Sequence, residues 1–367
     1  MGKKRFFDDR LKYLSFIQNT GEKKEISLRL YPHVANMSKN KSYLRILDAG
    51  TGDGTIKSNI IKSFHKYHPY TSLLITGKEV SYEDLKNTLD KMPDRFVEHP
   101  NLLITMTNVK FSELGLIENS KKIKNKKVKE FNLILKSNNS FDFNDQISGS
   151  QLGNFIKKNW GIEIDKKGRT SYSNPCLIRI YREDNENHLK QFINSDYKNN
   201  NYDLIIASQA YRAASSVKVK INNVIGPLMN LLNKSGNLLI THSCGGESIQ
   251  KILKLAFKDK EAFPNTAEDI IKHLKDHPSE ENDKYSFGKP SKYFFKFKKA
   301  PDQTVTELFG HSNDAKWANI LYVGQIPEKD IQVLEANTKL HNKVKKAIDS
   351  AGQISFQNEI FNIKKIV

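Results

Sequence analysis

A glycine-rich turn between an apolar strand and a helix is the part of this sequence best suited to bind a ligand. It reads D-A-G-T-G-D-G from Asp48 to Gly54 and follows the apolar run that ends at Leu47. Glycines let the backbone approach a ligand closely, and the helix that follows offers free N–H groups. The third glycine comes one residue too early for the G-x-G-x-x-G dinucleotide fingerprint, and the G-K-[ST] ending of a P-loop is absent. The turn is therefore predicted to bind a different ligand, the alternative being a purely structural turn.

The order acidic-x-G-x-G-x-G after a first strand resembles motif I of the class I S-adenosylmethionine-dependent methyltransferases. Further landmarks follow in the order typical of that superfamily, over roughly residues 43–245. The resemblance implies S-adenosyl-L-methionine as the cofactor, and it implies that the carboxylate of Glu79, after the second strand, accepts both ribose hydroxyls. The cofactor-binding positions that it implies are Asp48, Gly50, Thr51, Gly52, Gly54, Glu79, Val80, Asn108, Val109 and Ser208.

Three polar residues far apart in the chain carry a narrower resemblance, to the histamine N-methyltransferase family. Phe16 precedes Glu22 by six residues, Gln209 follows the fourth strand, and Asn358 lies in the last strand in the run F-Q-N. The resemblance implies that Glu22, Gln209 and Asn358 converge on the substrate. That family lacks an insertion at 115–200, so the identity of its substrate does not carry over.

The pocket residues divide into catalytic and substrate-binding candidates. Glu22 is expected to fix a substrate cation or accept its proton, and Gln209 to orient the nucleophile through its amide. Tyr211 is a third catalytic candidate, and His242 is an alternative base. The substrate-binding candidates are Tyr13, Phe16, Glu22, Gln209, Asn358, Trp317, Asn319 and Tyr322. The alternative for the aromatic side chains is ordinary core packing, and for His242 a purely structural hydrogen bond.

Alternating strand and helix patterns surround these residues. Near-continuous apolar strands separated by helices are typical of a parallel sheet buried on both faces. The sequence therefore predicts an α/β fold with a doubly wound, mostly parallel seven-stranded sheet, in which the last two strands are antiparallel. This is the Rossmann-like methyltransferase fold. The predicted strands are 43–47, 72–76, 102–107, 202–207, 237–241, 292–298 and 354–363.

The chain is predicted to have three parts. They are an N-terminal helical lid over 1–42, a cofactor-binding core over 43–114 and 201–367, and an inserted substrate or cap region over 115–200. A lysine run from Lys121 to Lys129 opens the insertion. We expect the insertion and the segment 305–326 to cover the pocket.

The composition limits which classes of partner and which cellular location are expected. The 367 residues include 59 Lys and Arg against 41 Asp and Glu, a net charge of +18. This excess indicates either an anionic partner or a genome rich in the A/T codons that Lys, Asn and Ile share. Cys176 and Cys244 alone form neither a disulfide framework nor a structural zinc site, so no metal and a cytoplasmic location are expected. Nothing approaches 18 consecutive apolar residues, so no membrane span is expected.

Three functions compete at this point. The first is a methyltransferase that acts on a small molecule, most simply on an amine nitrogen. The second is a methyltransferase that acts on RNA or protein through the lysine-rich insertion. The third is a non-catalytic protein that binds S-adenosyl-L-methionine. Lysines spread over the whole chain argue against the second function, and the intact glycine motif with Glu79 argues against the third.

Overall fold

Apolar runs between turns form the strands of one large sheet. The computed structural model describes residues 10–118, 120–164, 170–193, 201–258, 260–276, 282–296, 312–351 and 354–367. The strands are β1 (Tyr43–Ala49), β2 (Ser72–Lys78), β3 (Leu102–Thr107), β4 (Lys122–Ile123), β5 (Lys126–Lys127), β6 (Lys129–Leu135), β7 (Ile162–Ile164), β8 (Thr170–Tyr172), β9 (Cys176–Arg182), β10 (Tyr202–Ser208), β11 (Leu232–Gly245), β12 (Tyr285–Phe287), β13 (Ser291–Lys296) and β14 (Ser355–Lys365). The predicted strand residues 297 and 298 lie outside the described part.

The strand order places the carboxyl ends of the central strands along one edge. From one side of the sheet to the other the order is β12-β14-β11-β10-β1-β2-β3-β9-β6, and β13 also pairs with β14. β11, β10, β1, β2 and β3 are parallel, and β14 runs antiparallel to β11 and to β12 and β13. The α/β class, the mostly parallel sheet and the antiparallel C-terminal pairing are confirmed.

The sheet is larger than the seven strands predicted, because the insertion contributes β6 and β9 and the C-terminal part contributes the short strand β12. β9 pairs antiparallel with β3, and β6 pairs parallel with β9. The apolar run of β9 is interrupted by two buried arginines. Arg179 forms an ion pair with Glu130, and Arg182 forms one with Asp184. The described part of the insertion thus extends one edge of a ten-stranded sheet.

Helices cover both faces of the sheet. They are α1 (Arg10–Asn19), α2 (Glu22–Ala35), α3 (Thr55–Tyr67), α4 (Tyr82–Leu89), α5 (Pro93–Glu98), α6 (Leu114–Ile117), α7 (Ser140–Ser148), α8 (Ser150–Asn159), α9 (Glu186–Ile193), α10 (Val217–Lys220), α11 (Gly226–Met229), α12 (Glu247–Ala256), α13 (Ala267–Asp276), α14 (Ser312–Val323), α15 (Glu328–Ala336) and α16 (Thr338–Ser350). α2, α3, α7 and α8 share a core with one face, and α10, α11 and α13 with the other. Among the described residues, no helix has the length and apolarity needed to cross a bilayer.

The N-terminal segment predicted as a lid has two structural roles. Ile26, Leu30 and Val34 of α2 are at most 1% exposed and belong to the core beside the sheet. α1 instead contacts α14 in a third apolar cluster, to which Phe16 contributes. α2 is therefore fixed in the helical layer, and α1 is the element that closes over the glycine-rich turn.

A buried histidine lies between α3 and the turn before β2. His99 is 0% exposed, its Nε2–H donates to the Thr71 carbonyl at 3.0 Å, and its Nδ1 lies 3.3 Å from Nδ1 of His65. Burial, reinforced by the charge of His65, lowers the pKa of His99 to about 4. His99 is therefore neutral in the folded protein across the physiological range.

This burial predicts a loss of stability in mild acid. The unfolded chain protonates His99 near pH 6.5 and the folded protein only near pH 4, so stability falls as the pH drops through that interval. We expect the urea-unfolding free energy to fall by about 2–3 kcal/mol more in the wild type than in His99→Gln between pH 7 and pH 4.5. Equal pH dependence of the two proteins would show that His99 has the same pKa in the folded and the unfolded state, which would contradict the effect of its burial.

Candidate functional site

The glycine-rich turn adopts a backbone that only glycines tolerate well. Gly50, Gly52 and Gly54 have φ angles of 113°, 57° and 78°. A Cβ on Gly52 would lie 2.6 Å from the hydroxyl of Tyr13, and one on Gly54 would lie 2.7 Å from the Cα of Thr88. The turn is thus packed between α1 and α4 and delivers the chain to the start of α3.

Glu79 connects this turn to the end of β2. Its Oε2 accepts from the Gly52 N–H at 2.8 Å, and its Oε1 accepts from the N–H groups of Val80 and Ser81 at 2.7 and 2.8 Å. A carboxylate has about four acceptor positions, so Oε2 keeps capacity for one further donor. The structure thus aligns Glu79 with the turn, and its role toward ribose stays a prediction.

A buried carboxylate and a buried ammonium group lie beneath the turn. Asp48 is 1% exposed and Lys57 of α3 is 0% exposed, and neither Asp48 Oδ2 nor Lys57 Nζ has a hydrogen-bond partner among the described residues. Burial raises the pKa of Asp48, against the opposing charge of Lys57, and burial lowers the pKa of Lys57 to about 8. Asp48 therefore supports the turn from below.

A cavity of about 330 Å³ opens beside the turn, at the carboxyl ends of the parallel strands. This is the edge at which open α/β sheets bind ligands. Among the predicted residues it is lined by Tyr13, Phe16, Glu22, Gly50, Gly52, Glu79, Ser208, Gln209 and Tyr322. The hydroxyl of Ser208 is buried without a hydrogen-bond partner among the described residues, so the cavity wall carries a polar atom that a ligand can satisfy.

Three residues from the beginning, middle and end of the chain meet beside the cavity: Glu22 and Gln209 line it, and Asn358 is 0% exposed behind Glu22 and is not among the described residues of the lining. Oε1 of Glu22 accepts from Nε2 of Gln209 at 3.0 Å and from Nδ2 of Asn358 at 3.2 Å. Nδ2 of Asn358 also lies 3.2 Å from the hydroxyl of Tyr293, which is 2.6 Å from that of Thr241. We call Glu22, Gln209 and Asn358 the Glu22 cluster. The structure brings the predicted trio together, and their roles toward a substrate stay predictions.

Gln209 holds the Glu22 cluster from a strained backbone position. Its φ is +52°, a left-handed conformation that costs a residue with a Cβ about 1 kcal/mol. Its amide is oriented at both ends, because Oε1 accepts from the Ser243 N–H at 3.2 Å while Nε2 donates to Glu22. Strain that the surrounding contacts maintain is typical of functional sites.

Tyr211 lies behind the cavity rather than in its lining. Its hydroxyl is 2.6 Å from Nδ1 of His242, whose Nε2 is 3.2 Å from Oε2 of Glu359. Tyr211 is 9% exposed and His242 1% exposed, so neither candidate reaches a ligand in this arrangement. Alternation along β11 explains this, because His242 points to the face opposite Ser243.

Asn108 and Val109 also depart from the expected adenine contact. Nδ2 of Asn108 donates to the Asn174 carbonyl at 2.9 Å, and its Oδ1 accepts from the Cys176 N–H at 2.9 Å. Val109 is 0% exposed in the core. Both ends of the Asn108 amide thus fasten the strand that the insertion adds beside β3, which is why this position is not open to a ligand.

The segment 305–326 contributes only in part. Tyr322 lines the cavity and lies 5.1 Å from the ring of Phe16, whereas Trp317 stacks on Phe257 at 6.2 Å in the helical core. Asn319 is 2% exposed and is not among the described residues of the lining. Residues 305–311 lie outside the described part of the chain.

The cavity also contains residues that the sequence analysis missed. Lys23, Lys78, Asp84, Phe111 and Ser243 line it. Burial alone would lower the pKa of Lys23, but neighbouring groups outweigh it and raise that pKa. These groups are Tyr13, Glu22, Asp53 and Asp48. The sequence could have indicated Lys23 by its position beside Glu22, and Phe111 by its position four residues after the third strand.

The lysine run of the insertion folds away from the cavity. β4 and β5 form a small hairpin with Lys124 in its turn, and Nζ of Lys124 lies 2.6 Å from Oε1 of Glu113. Lys126 pairs with Glu163 at 3.0 Å. The described residues of the insertion line no part of the cavity, contrary to the expectation that this region covers it.

Comparisons with known proteins find solved structures at low sequence identity and low TM-score. No protein-family model and no curated protein sequence matches the chain. The [4+2]-cyclase SpnF is 11% identical, with 92% of this chain and 81% of that one covered, at a TM-score of 0.38. A geranyl diphosphate methyltransferase is 8% identical, with 94% and 78% covered and a TM-score of 0.34.

A SAM-dependent methyltransferase from Archaeoglobus fulgidus is also similar. It is 12% identical over 94% of both chains, with a TM-score of 0.31. Every one of these TM-scores is below 0.5. We therefore base the fold on the strand order and base the function on the geometry of the cavity.

The packing of the glycine-rich turn gives a stability prediction with an internal control. Gly54→Ala places a Cβ against backbone atoms of Thr88 at a positive φ, so we expect it to lower the unfolding free energy by about 1–3 kcal/mol. Gly153 lies inside α8 with open space around it, so Gly153→Ala should raise the unfolding free energy by about 0.5–1 kcal/mol. Chemical denaturation measures both. Equal effects of the two substitutions would contradict the described turn.

Proposed function

We propose that this protein is an S-adenosyl-L-methionine-dependent methyltransferase that acts on a small amine. The observation that carries the proposal is the Glu22 cluster, a carboxylate held by two amides in the same cavity as the glycine-rich turn and Glu79. One cavity thus combines a site suited to a nucleoside cofactor with a site suited to a cationic acceptor. The strand order, with the cavity at the carboxyl ends of the parallel strands, supports the same assignment.

The residues present fit the proposed cofactor. Gly50 and Gly52 line the cavity, Glu79 keeps one acceptor position on Oε2, and the Ser208 hydroxyl lacks a partner among the described residues. Phe111 adds an aromatic face to the same wall. When bound, S-adenosyl-L-methionine supplies a methyl group on a positively charged sulfonium.

The chain's own contribution to methyl transfer would be positioning and proton acceptance. A nitrogen that receives a methyl group must present a neutral lone pair, so an amine that binds as a cation must lose a proton first. Glu22 is 5% exposed and would bind the ammonium form and accept that proton. Gln209 and Asn358 fix the carboxylate, so its orientation does not have to be established during the reaction.

Aromatic side chains restrict what enters this end of the cavity. Phe16 packs against Tyr322, and Tyr13 lies 6.2 Å from Tyr322 and reaches the glycine-rich turn. Aromatic faces attract cations once water is excluded. The aromatic wall and the buried Glu22 carboxylate favour a small organic ammonium ion over an anion, while Lys23 and Lys78 add positive charge to the same lining.

Methylation of RNA or protein is not favoured by any feature of the described cavity. That alternative depended on the lysine run of the insertion, and the hairpin that carries the run contributes nothing to the lining. A purely binding protein would use the same glycine-rich turn, so turnover distinguishes it from an enzyme.

The cofactor assignment predicts the effect of closing the turn. Gly52→Val adds a branched side chain at φ +57°, where a Cβ already meets Tyr13. We expect at least about tenfold weaker binding of S-adenosylhomocysteine in isothermal titration calorimetry, about 1.4 kcal/mol, with a cooperative melting transition retained. Gly153→Ala serves as the control. Unchanged affinity in folded Gly52→Val would remove the turn from the cofactor site.

The acceptor assignment predicts a separate effect at Glu22. A screen of small amines with S-adenosyl-L-methionine, read out as S-adenosylhomocysteine formed, identifies an acceptor. For that acceptor Glu22→Gln should lower kcat/KM at least about tenfold, about 1.4 kcal/mol, with cofactor affinity kept. Glu247→Gln, on the exposed face of α12, should change neither value. Full activity in Glu22→Gln would contradict the role of this carboxylate.

A further inference from the structure

A second polar chain lies on the opposite face of the sheet from the Glu22 cluster. It consists of Tyr211, His242 and Glu359, and we call it the rear chain. Their side chains are 9%, 1% and 0% exposed. The mechanism above uses none of them directly.

Strand register couples the rear chain to the cavity. In the antiparallel pair of β11 and β14, Ser243 is opposite Asn358 and His242 is opposite Glu359. Successive strand residues point to opposite faces, so one pair faces the cavity and the next pair lies behind it. Tyr211 follows Gln209 by two residues. Every residue of the rear chain is therefore a near neighbour in sequence of Gln209, Ser243 or Asn358.

The hydrogen bonds of the rear chain are donated in one direction, from Tyr211 to His242 and from His242 to Glu359. Oε2 of Glu359 accepts from the Ala267 N–H at 2.7 Å and lies 3.2 Å from Nε2 of His242. Because a carboxylate only accepts, Nε2 of His242 carries the hydrogen, and its Nδ1 accepts from the Tyr211 hydroxyl at 2.6 Å. Burial lowers the pKa of His242. Burial alone would raise the pKa of Glu359, but the hydrogen bonds from His242 and from the Ala267 N–H outweigh it and lower that pKa. A neutral imidazole thus lies between a phenol and a carboxylate.

We propose that Tyr211, His242 and Glu359 form a positioning chain that holds the turn after β10, and with it the strained Gln209, against Glu22. The Tyr211 hydroxyl is fastened to His242 of β11, which in turn bonds to Glu359 of β14, and this anchor restrains residues 209–211 from relaxing toward an ordinary backbone conformation. Gln209 in turn orients Glu22 through Nε2. Tyr211 therefore acts through Gln209 and does not contact the acceptor. Its effect on turnover rests on the function proposed above, whereas the chain itself does not.

The chain also makes the site sensitive to acid. Protonated His242 has no lone pair on Nδ1, so it cannot accept from Tyr211, and the turn loses this anchor. The charged groups that act on His242 are Glu359, Lys220 and Glu268. Lys292 lies 3.6 Å from Oε1 of Glu359 and helps to hold the carboxylate ionised.

The test uses the full-length protein and reads the side-chain amide of Gln209 by nitrogen-15 NMR, with assignment by Gln209→Glu. Tyr211→Phe removes only the hydroxyl, and we expect the Gln209 amide hydrogens to exchange with water at least about tenfold faster. Tyr285→Phe is the matched control, because the Tyr285 hydroxyl, on β12, donates to the Met229 carbonyl of α11 at 3.1 Å, away from Gln209. Unchanged Gln209 exchange in folded Tyr211→Phe would overturn the proposal.

A titration of the wild type gives a second test that needs no substitution. The imidazole nitrogens of His242 should report the Nε2–H form at neutral pH, and the Gln209 amide signal should change together with His242 protonation. An Nδ1–H form, or protonation without any change at Gln209, would overturn the proposal. Neither measurement involves cofactor or acceptor, so failure here leaves the methyltransferase proposal intact, and failure to bind S-adenosylhomocysteine leaves this one intact.

Discussion

One carboxylate joins the two ends of this chain to its middle. Glu22 begins α2, Gln209 begins the turn after β10, and Asn358 lies in the last strand, yet both amides donate to the same oxygen of Glu22. A buried carboxylate without donors would be costly, so the three elements must hold their relative positions for this site to exist. The sheet provides that constraint, because β14 inserts antiparallel beside β11 and brings Asn358 to the edge where β10 ends.

The same edge explains why the glycine-rich turn and the Glu22 carboxylate share one cavity. Parallel strands place their carboxyl ends together, so the turn after β1, Glu79 after β2 and Gln209 after β10 all open in one direction. α1 closes this space from above with Tyr13 and Phe16. Phe16 also packs on Phe295 of β13 and Phe356 of β14, so α1 is held by both the sheet and α14.

Sequence patterns predicted the elements that repeat a simple period. The apolar runs of β1, β2, β3, β10 and β11 and the glycine-rich turn were identified, because burial on both faces and positive φ angles restrict residue type strongly. β9 escaped this reasoning, because its buried Arg179 and Arg182 break the apolar run. Asn108 was assigned to a ligand although its amide fastens β9. That outcome depends on a strand added 68 residues later, which local patterns do not contain.

The Glu22 cluster shows a different limit. Its three positions came from resemblance to a family, since no periodicity links residues 22, 209 and 358. Two aromatic residues of α14 that were both predicted to bind substrate have different surroundings. Tyr322 lies in the cavity wall, whereas Trp317 lies in the helical core.

A crystal structure of the protein grown with S-adenosylhomocysteine would test the central claim most directly. We expect electron density for the ligand in the cavity, with its ribose at Glu79 and its sulfur directed toward the end that contains Glu22. Density at another surface, or none at saturating ligand with the cavity still closed by Tyr13, would contradict it.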